Sequence, residues 1–113
     1  MNRISTHILD LGLGKPAAEV AVRLEKQEST ANWHVISSSQ TDQDGRCAQL
    51  GNDAKLTVGT YRLHFETATY FAARKIETMY PFVEITFQIR DGDSHLHIPL
   101  LLNANGYTTY RGT

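Results

Sequence analysis

Residues 81–90 read PFVEITFQIR. Val83, Ile85, Phe87 and Ile89 take every second position, with Glu84, Thr86, Gln88 and Arg90 between them. A strand turns successive side chains to opposite faces, so this period of two puts the four apolar groups on one side of a sheet. The same rhythm recurs over 60–67, where Tyr61, Leu63 and Phe65 alternate with Arg62, His64 and Glu66. Val20, Val22 and Leu24 interleave with Ala21, Arg23 and Glu25, and a shorter run covers 33–37. Turn-forming clusters separate these runs at 12–16, 42–45, 51–53, 91–94 and 103–106. The first, GLGKP, reads as a hairpin connection. One segment departs from alternation: over 68–79, Phe71, Ala72, Ile76 and Met79 fall near helical spacing, and Pro81 then blocks continuation. The spacing predicts a short helix there, about two or three turns at most. About seven short strands with regular turn signals and one small helix predict an all-β fold, an antiparallel β-sandwich.

The 113 residues suit a single domain spanning 1–113. The one cysteine, Cys47, cannot form an intrachain disulfide, which fits a reducing compartment. Lys and Arg number 11 against 12 acidic residues, so no net basic field exists to draw nucleic acid or an anionic membrane. No stretch approaches the ~20 apolar residues of a membrane span. The first ten residues, MNRISTHILD, lack both an apolar signal core and a small-residue cleavage site, so a cytoplasmic protein is expected.

Alternation also sorts the histidines. Ile4 and Ile8 share one strand face, so His7 lies on the other, together with Leu9. In HLHIPLLL, residues 95–102, Leu96, Ile98 and Leu100 form one face and His95 and His97 the opposite one. These histidines are predicted on the faces turned away from the core, where a scattered His on a solvated sheet needs no explanation. Two at i and i+2 with a third on another strand make a site only if the strands are neighbours. Zinc is the first ligand three histidines suggest, yet no HExxH, CxxC or nearby carboxylate completes a set, and no metal is expected. Asp10 sits an odd number of residues from His7. Cys47 shows no sign of a lowered pKa and is read as packing. Ser37, Ser38 and Ser39 lack a nucleophile-elbow motif, and His34 and His64 carry no partner signal in the sequence. The last eight residues, GYTTYRGT, join two tyrosines, a fixed cation, a glycine and a hydroxyl. They read as an edge strand with an ordered tail, or as a segment folded into a site.

These pieces occur together in a known family. ISTHILD (4–10), GKPA (14–17), TDQDGR (41–46), YRLHFETATYF (61–71), HLHIPLLL and GYTTYRGT resemble the 5-hydroxyisourate hydrolases of the transthyretin-related proteins. The similarity runs from residue 4 to residue 113. Its most specific element is the ending, usually Tyr-Arg-Gly-Ser in the family and here Tyr110, Arg111, Gly112 and Thr113. True transthyretins, the hormone carriers, lack that ending and the matching histidines. The resemblance implies a transthyretin-like sandwich of eight strands with a short helix, assembled as a homotetramer. It implies further that His7, His97 and the C-terminal segment share one sheet, whose outer face lines a channel between dimers.

The reaction implied is hydrolytic ring opening of 5-hydroxyisourate to 2-oxo-4-hydroxy-4-carboxy-5-ureidoimidazoline in urate degradation, without a cofactor. Family positions carried onto this chain make His7, His97 and Thr113 catalytic, and His7, Arg46, Tyr110, Arg111 and Thr113 substrate-binding, with His95 in support. The residue types suit the chemistry. An imidazole titrating near neutrality takes a proton from water in the transition state, typically worth ~10²–10⁴-fold. A guanidinium presents a fork of donors to the carbonyls of a planar heterocycle. Thr in place of Ser at position 113 keeps the hydroxyl but adds a methyl and restricts χ1. Two other readings stand beside this one: a transthyretin-type carrier binding a small aromatic ligand without chemistry, and a sandwich interaction module with no small-molecule site.

Overall fold

The structure, a computed structural model, describes residues 3–51 and 56–113. Nine strands and one helix appear among them: β1 (Arg3–Asp10), β2 (Lys15–Pro16), β3 (Ala21–Ser29), β4 (Asn32–Gln40), β5 (Arg46–Leu50), β6 (Gly59–Phe65), α1 (Thr67–Ala72), β7 (Val83–Ile89), β8 (His95–Asn103) and β9 (Gly106–Thr109). One sheet runs β2-β1-β8-β9 with β5 also paired to β1; the other runs β4-β3-β6-β7. The expected turn at 51–53 lies outside the described residues except for Gly51. GLGKP does close a hairpin, pairing Leu9 with Pro16 and Asp10 with Lys15.

The alternating apolar residues meet between the sheets. Ile4, Ile8, Leu100 and Leu102 from the first sheet pack with Val22, Leu24, Leu63, Phe65, Val83 and Ile89 from the second, and all are buried. Cys47 lies in this cluster as packing, and burial pushes its thiol up, away from the reactive thiolate. Every pairing is antiparallel except β1 with β8, which run parallel over their full shared length. Period-two patterning specifies faces but not strand direction, so this exception has no counterpart in the residue pattern.

The helix is shorter than the spacing predicts, ending at Ala72. Lys75 takes a left-handed conformation (φ 58°) and turns the chain back. Its N–H bonds the Ala72 carbonyl at 3.0 Å and the Ile76 N–H bonds Phe71 at 3.0 Å, a 6→1 closure that satisfies the last carbonyls. The helix is pinned to the β1–β2 hairpin by Tyr70, whose hydroxyl donates to the buried Asp10 carboxylate at 2.7 Å. Burial, together with that bond, pushes the Tyr70 phenol up to about 12.

The outer face of the second sheet carries an ion network that the sequence does not signal. His64 is buried, with Nδ1 2.8 Å from Glu84 and Nε2 2.6 Å from Glu66, and it stacks on Phe82. Arg62 bonds Glu25 at 2.6 Å. His34 also has a partner, Glu28, at 2.8 Å. The sequence carries no partner signal for His64 because Glu84 becomes its neighbour only through β6–β7 pairing.

A left-handed non-glycine residue costs about 1–2 kcal/mol, and glycine adopts that conformation freely. Lys75→Gly is therefore expected to stabilise the fold by about 1 kcal/mol, net of the added freedom of the unfolded chain. Thermal unfolding checks this, with a rise of roughly 4 °C expected for a domain of this size.

Candidate active site

Parallel pairing of β1 with β8 sets Ser5 opposite His97 and His7 opposite Pro99. On the other edge of β1, β5 sets Arg46 opposite His7. Ser5, His7, Arg46, His95 and His97 thus share the outer face of the first sheet, while Ile4, Ile8, Cys47, Leu96 and Ile98 face the core. The strand adjacency missing from the residue pattern is supplied by this register.

Arg46 is held by the turn before it. The Asp42 carboxylate accepts the N–H groups of Asp44 at 2.9 Å and Arg46 at 3.0 Å. Gly45 sits at φ 75° with its carbonyl accepting the Ile8 N–H at 2.8 Å, and a Cβ there would lie 2.5 Å from the Ile8 carbonyl oxygen. Only glycine lets the turn approach β1 this closely.

Beyond β9 the chain returns along β8. The Gly112 N–H donates to the His97 carbonyl at 2.8 Å. A Cβ on Gly112 would lie 2.5 Å from Cδ2 of the His97 ring and 3.1 Å from Pro99. Gly112 is therefore required by a close approach to the imidazole, which explains the glycine in the terminal motif. Thr113 is thereby carried to an open cleft of about 270 Å³ walled by Arg3, Ser5, Arg46, His95, His97 and Thr113. His7 flanks that cleft through its register with Arg46.

Tyr110 and Arg111 go elsewhere. They border a smaller, apolar cleft of about 170 Å³ with Ile85, Phe87 and His97. Tyr110 is 56% exposed, and Arg111 reaches Asp93 at 3.4 Å. His97 is the residue common to both clefts.

Ser5 is the site residue that sequence reading missed. Its Oγ lies 2.9 Å from His95 Nε2 and 2.8 Å from His97 Nδ1, bridging the two rings. The signal was available: Ser5 is two residues from His7, on the same strand face. Arg3, also on that face, places a guanidinium nitrogen 3.5 Å from His95 Nδ1. Among the described residues, no three His, Cys, Asp or Glu side chains gather into a metal-binding set.

Electrostatics favour a neutral imidazole at position 97. Partial burial holds the His97 pKa below the usual histidine range, and the positive charges of His7, His95 and Arg46 push the same way. A neutral ring keeps one nitrogen able to accept and one able to donate. The arrangement offers a fixed cation, two imidazoles side by side and a hydroxyl, enough to bind a planar polar molecule and move protons on it.

The chain belongs to the HIUase/transthyretin family, whose profile matches residues 4–112. It is 41% identical over 112 residues to a 5-hydroxyisourate hydrolase of Salmonella typhimurium, spanning 99% of this chain and 82% of the relative. The solved structure of Klebsiella pneumoniae 5-hydroxyisourate hydrolase matches with a TM-score of 0.87 at 34% identity, covering 100% of this chain and 94% of that one. Sea bream transthyretin in complex with thyroxine matches with the same TM-score, 0.87, at 26% identity, covering 98% and 95%. Backbone shape therefore does not separate hydrolase from carrier.

Two measurements check this geometry. In an NMR titration, His97 is expected to take up its proton below the ordinary midpoint of about 6.5. Because the unfolded chain then binds that proton first, His97 contributes stability above the ordinary range that is lost as pH falls through its folded value. Gly112→Ala is expected to shift the His97 ring resonances and to speed hydrogen exchange at the residue 112 amide, as the added methyl forces the two apart.

Proposed function

We propose that this protein hydrolyses 5-hydroxyisourate to 2-oxo-4-hydroxy-4-carboxy-5-ureidoimidazoline, a step of urate degradation. The observation that carries the reading is the convergence of His7, Arg46 and His97 on one outward face through strands β1, β5 and β8. A carrier needs a shaped cavity and has no use for paired imidazoles beside a cation, whereas hydrolysis of a cyclic amide can use the imidazoles to move protons and the cation to stabilise the developing oxyanion.

In the reaction, water attacks a ring carbonyl while an imidazole of the His7/His97 pair takes its proton. Negative charge develops on the carbonyl oxygen, and Arg46 stabilises it with charge-assisted hydrogen bonds. The carbon–nitrogen bond then breaks with its electron pair going to nitrogen, which receives a proton from imidazolium. One water is added and the side chains return to their starting state. The Thr113 hydroxyl orients the water or the substrate, and His95 supports His97 through Ser5. Tyr110 and Arg111 contact substrate from the neighbouring cleft.

The protein acts as one domain and works as a homotetramer. Leu11, Leu13, Tyr107 and Tyr110, each between 40% and 56% exposed, supply apolar surface for assembly. No helix among the described residues is long and apolar enough to cross a membrane, and the single cysteine is buried and unpaired. A cytoplasmic setting suits that chemistry.

The test generates 5-hydroxyisourate fresh from urate with uricase and follows its ultraviolet absorbance decay. Wild type is expected to accelerate the decay. His97→Asn and Arg46→Ala are each expected to lower kcat/KM by about 10²-fold or more, with circular dichroism unchanged. Decay no faster than the spontaneous rate, with the substrate nonetheless bound, would favour the carrier. Light scattering on the same samples reads the assembly: a monomer or dimer would overturn the tetramer.

A further inference from the structure

We infer that Arg3, His95 and Ser5 form a positioning relay that holds His97 in its Nε2–H tautomer. His97 thereby presents a hydrogen-bond donor to the substrate, and His7 is left to take the proton from water. The division of roles rests on the hydrolase reading above; the tautomer itself does not.

A serine hydroxyl has one hydrogen to donate and lone pairs to accept with. Ser5 Oγ is within hydrogen-bond distance of two imidazole nitrogens, His95 Nε2 at 2.9 Å and His97 Nδ1 at 2.8 Å. It cannot donate to both, and the Ser5 hydroxyl has no third partner among the described residues, so with every contact used it donates to one ring and accepts from the other, and the two tautomers are coupled. Two arrangements of the chain exist, and they run in opposite directions.

Arg3 selects between them. A guanidinium carries only donors and stays charged. Its Nη2 lies 3.5 Å from His95 Nδ1, too long for a strong hydrogen bond. At that distance its charge matters more than its bond: an N–H on Nδ1 would aim a positive hydrogen at a positive group. His95 Nδ1 is therefore bare, and neutral His95 carries its proton on Nε2. That proton is donated to Ser5. The Ser5 hydrogen then goes to His97 Nδ1, and neutral His97 carries its own proton on Nε2.

The remaining geometry agrees. His97 Nε2 has no hydrogen-bond partner among the described residues, so it is free to meet a ligand. Gly112 packs on the Cδ2 edge of the ring and its N–H holds the backbone carbonyl of the same residue, which limits rotation of the imidazole. Partial burial keeps His97 neutral near pH 7, so a tautomer exists to be selected. A His97 whose open nitrogen already carries hydrogen cannot accept the water proton there. It can donate to the carbonyl oxygen or to the departing ring nitrogen. Of the two imidazoles proposed for catalysis, His7 remains as the acceptor, and among the described residues its ring makes no hydrogen bond that would occupy it.

The experiment uses ¹⁵N-histidine-labelled full-length protein. Long-range proton–nitrogen spectra read each tautomer in the free protein without turnover, and steady-state kinetics are measured on the same preparations. Wild type is expected to show one Nε2–H form for His97. Ser5→Ala is expected to give mixed or exchanging His97 tautomers, with kcat lowered about tenfold or more and KM within about twofold, the scale for removing a partner that orients a functional histidine. Ser5→Thr, which keeps the hydroxyl, is expected to restore the single tautomer and most of kcat. Arg3→Met is expected to admit the Nδ1–H form of His95.

An Nδ1–H tautomer at His97 in wild type overturns the relay even if turnover is normal. Ser5→Ala with unchanged tautomer and kcat overturns it as well. An Nε2–H form in a wild type that shows no turnover overturns the proton roles together with the hydrolase reading, and leaves the tautomer lock standing.

Discussion

The site depends on the parallel pairing of β1 with β8. These strands lie about ninety positions apart in sequence, as the separation of 92 between Ser5 and His97 shows. A slip of one residue in either strand would send its outward side chains into the core and its core side chains out. The register is enforced from the inside. Ile4 and Ile8 on β1 and Ile98 and Leu100 on β8 are buried, and the Thr6 hydroxyl donates to the Ile98 carbonyl at 2.6 Å. Burying one aliphatic side chain contributes about 1.5–3 kcal/mol, so a slipped register that exposed several is strongly disfavoured. The packing of the apolar face thereby decides which polar groups meet on the other.

The charge balance of the whole chain hides the local field. Net charge is −1, yet Arg3 and Arg46 stand beside three histidines on one sheet face. Partial burial, and after it the positive charges of His7, His95 and Arg46, make a proton on His97 costly and hold its pKa below the ordinary range. A neutral imidazole is the form useful for proton transfer, and two permanent guanidinium groups nearby suit an electron-rich heterocycle. On the opposite sheet Arg23 and Arg62 are instead met by the carboxylates of Glu25 and Glu84. Burial pushes the Glu25 carboxyl up, but the bonds from both arginines overcome this and hold it below the usual range.

Two glycines set how closely the site can close. Gly45 brings the Asp42 turn against Ile8 and so delivers Arg46 to His7. Gly112 lets the returning chain lie on the His97 ring. At both positions a Cβ would meet atoms of β1 or β8 at 2.5 Å. The glycines of TDQDGR and YRGT are thus matters of approach distance more than of sequence identity.

Period-two alternation was enough to predict a sandwich, to place Val83, Ile85, Phe87 and Ile89 on one face, and to turn His7, His95 and His97 away from the core. It works because side-chain direction along a strand is a local property. The terminal motif and HLHIPLLL likewise carried the family resemblance. Other features lay beyond local pattern. The helix stopped early because Lys75 adopts a backbone conformation that no periodicity encodes. His64 gained Glu84, and His97 gained Ser5, only through pairing between distant strands. Tyr110 and Arg111 turned to a second cleft, which shares His97 with the first, and away from the cleft that Thr113 enters. The sequence by itself determined the faces, the core and the chemical groups available. Tertiary structure alone decided which of those groups touch, because contact across strands depends on register and direction, and both are settled by packing of the whole domain.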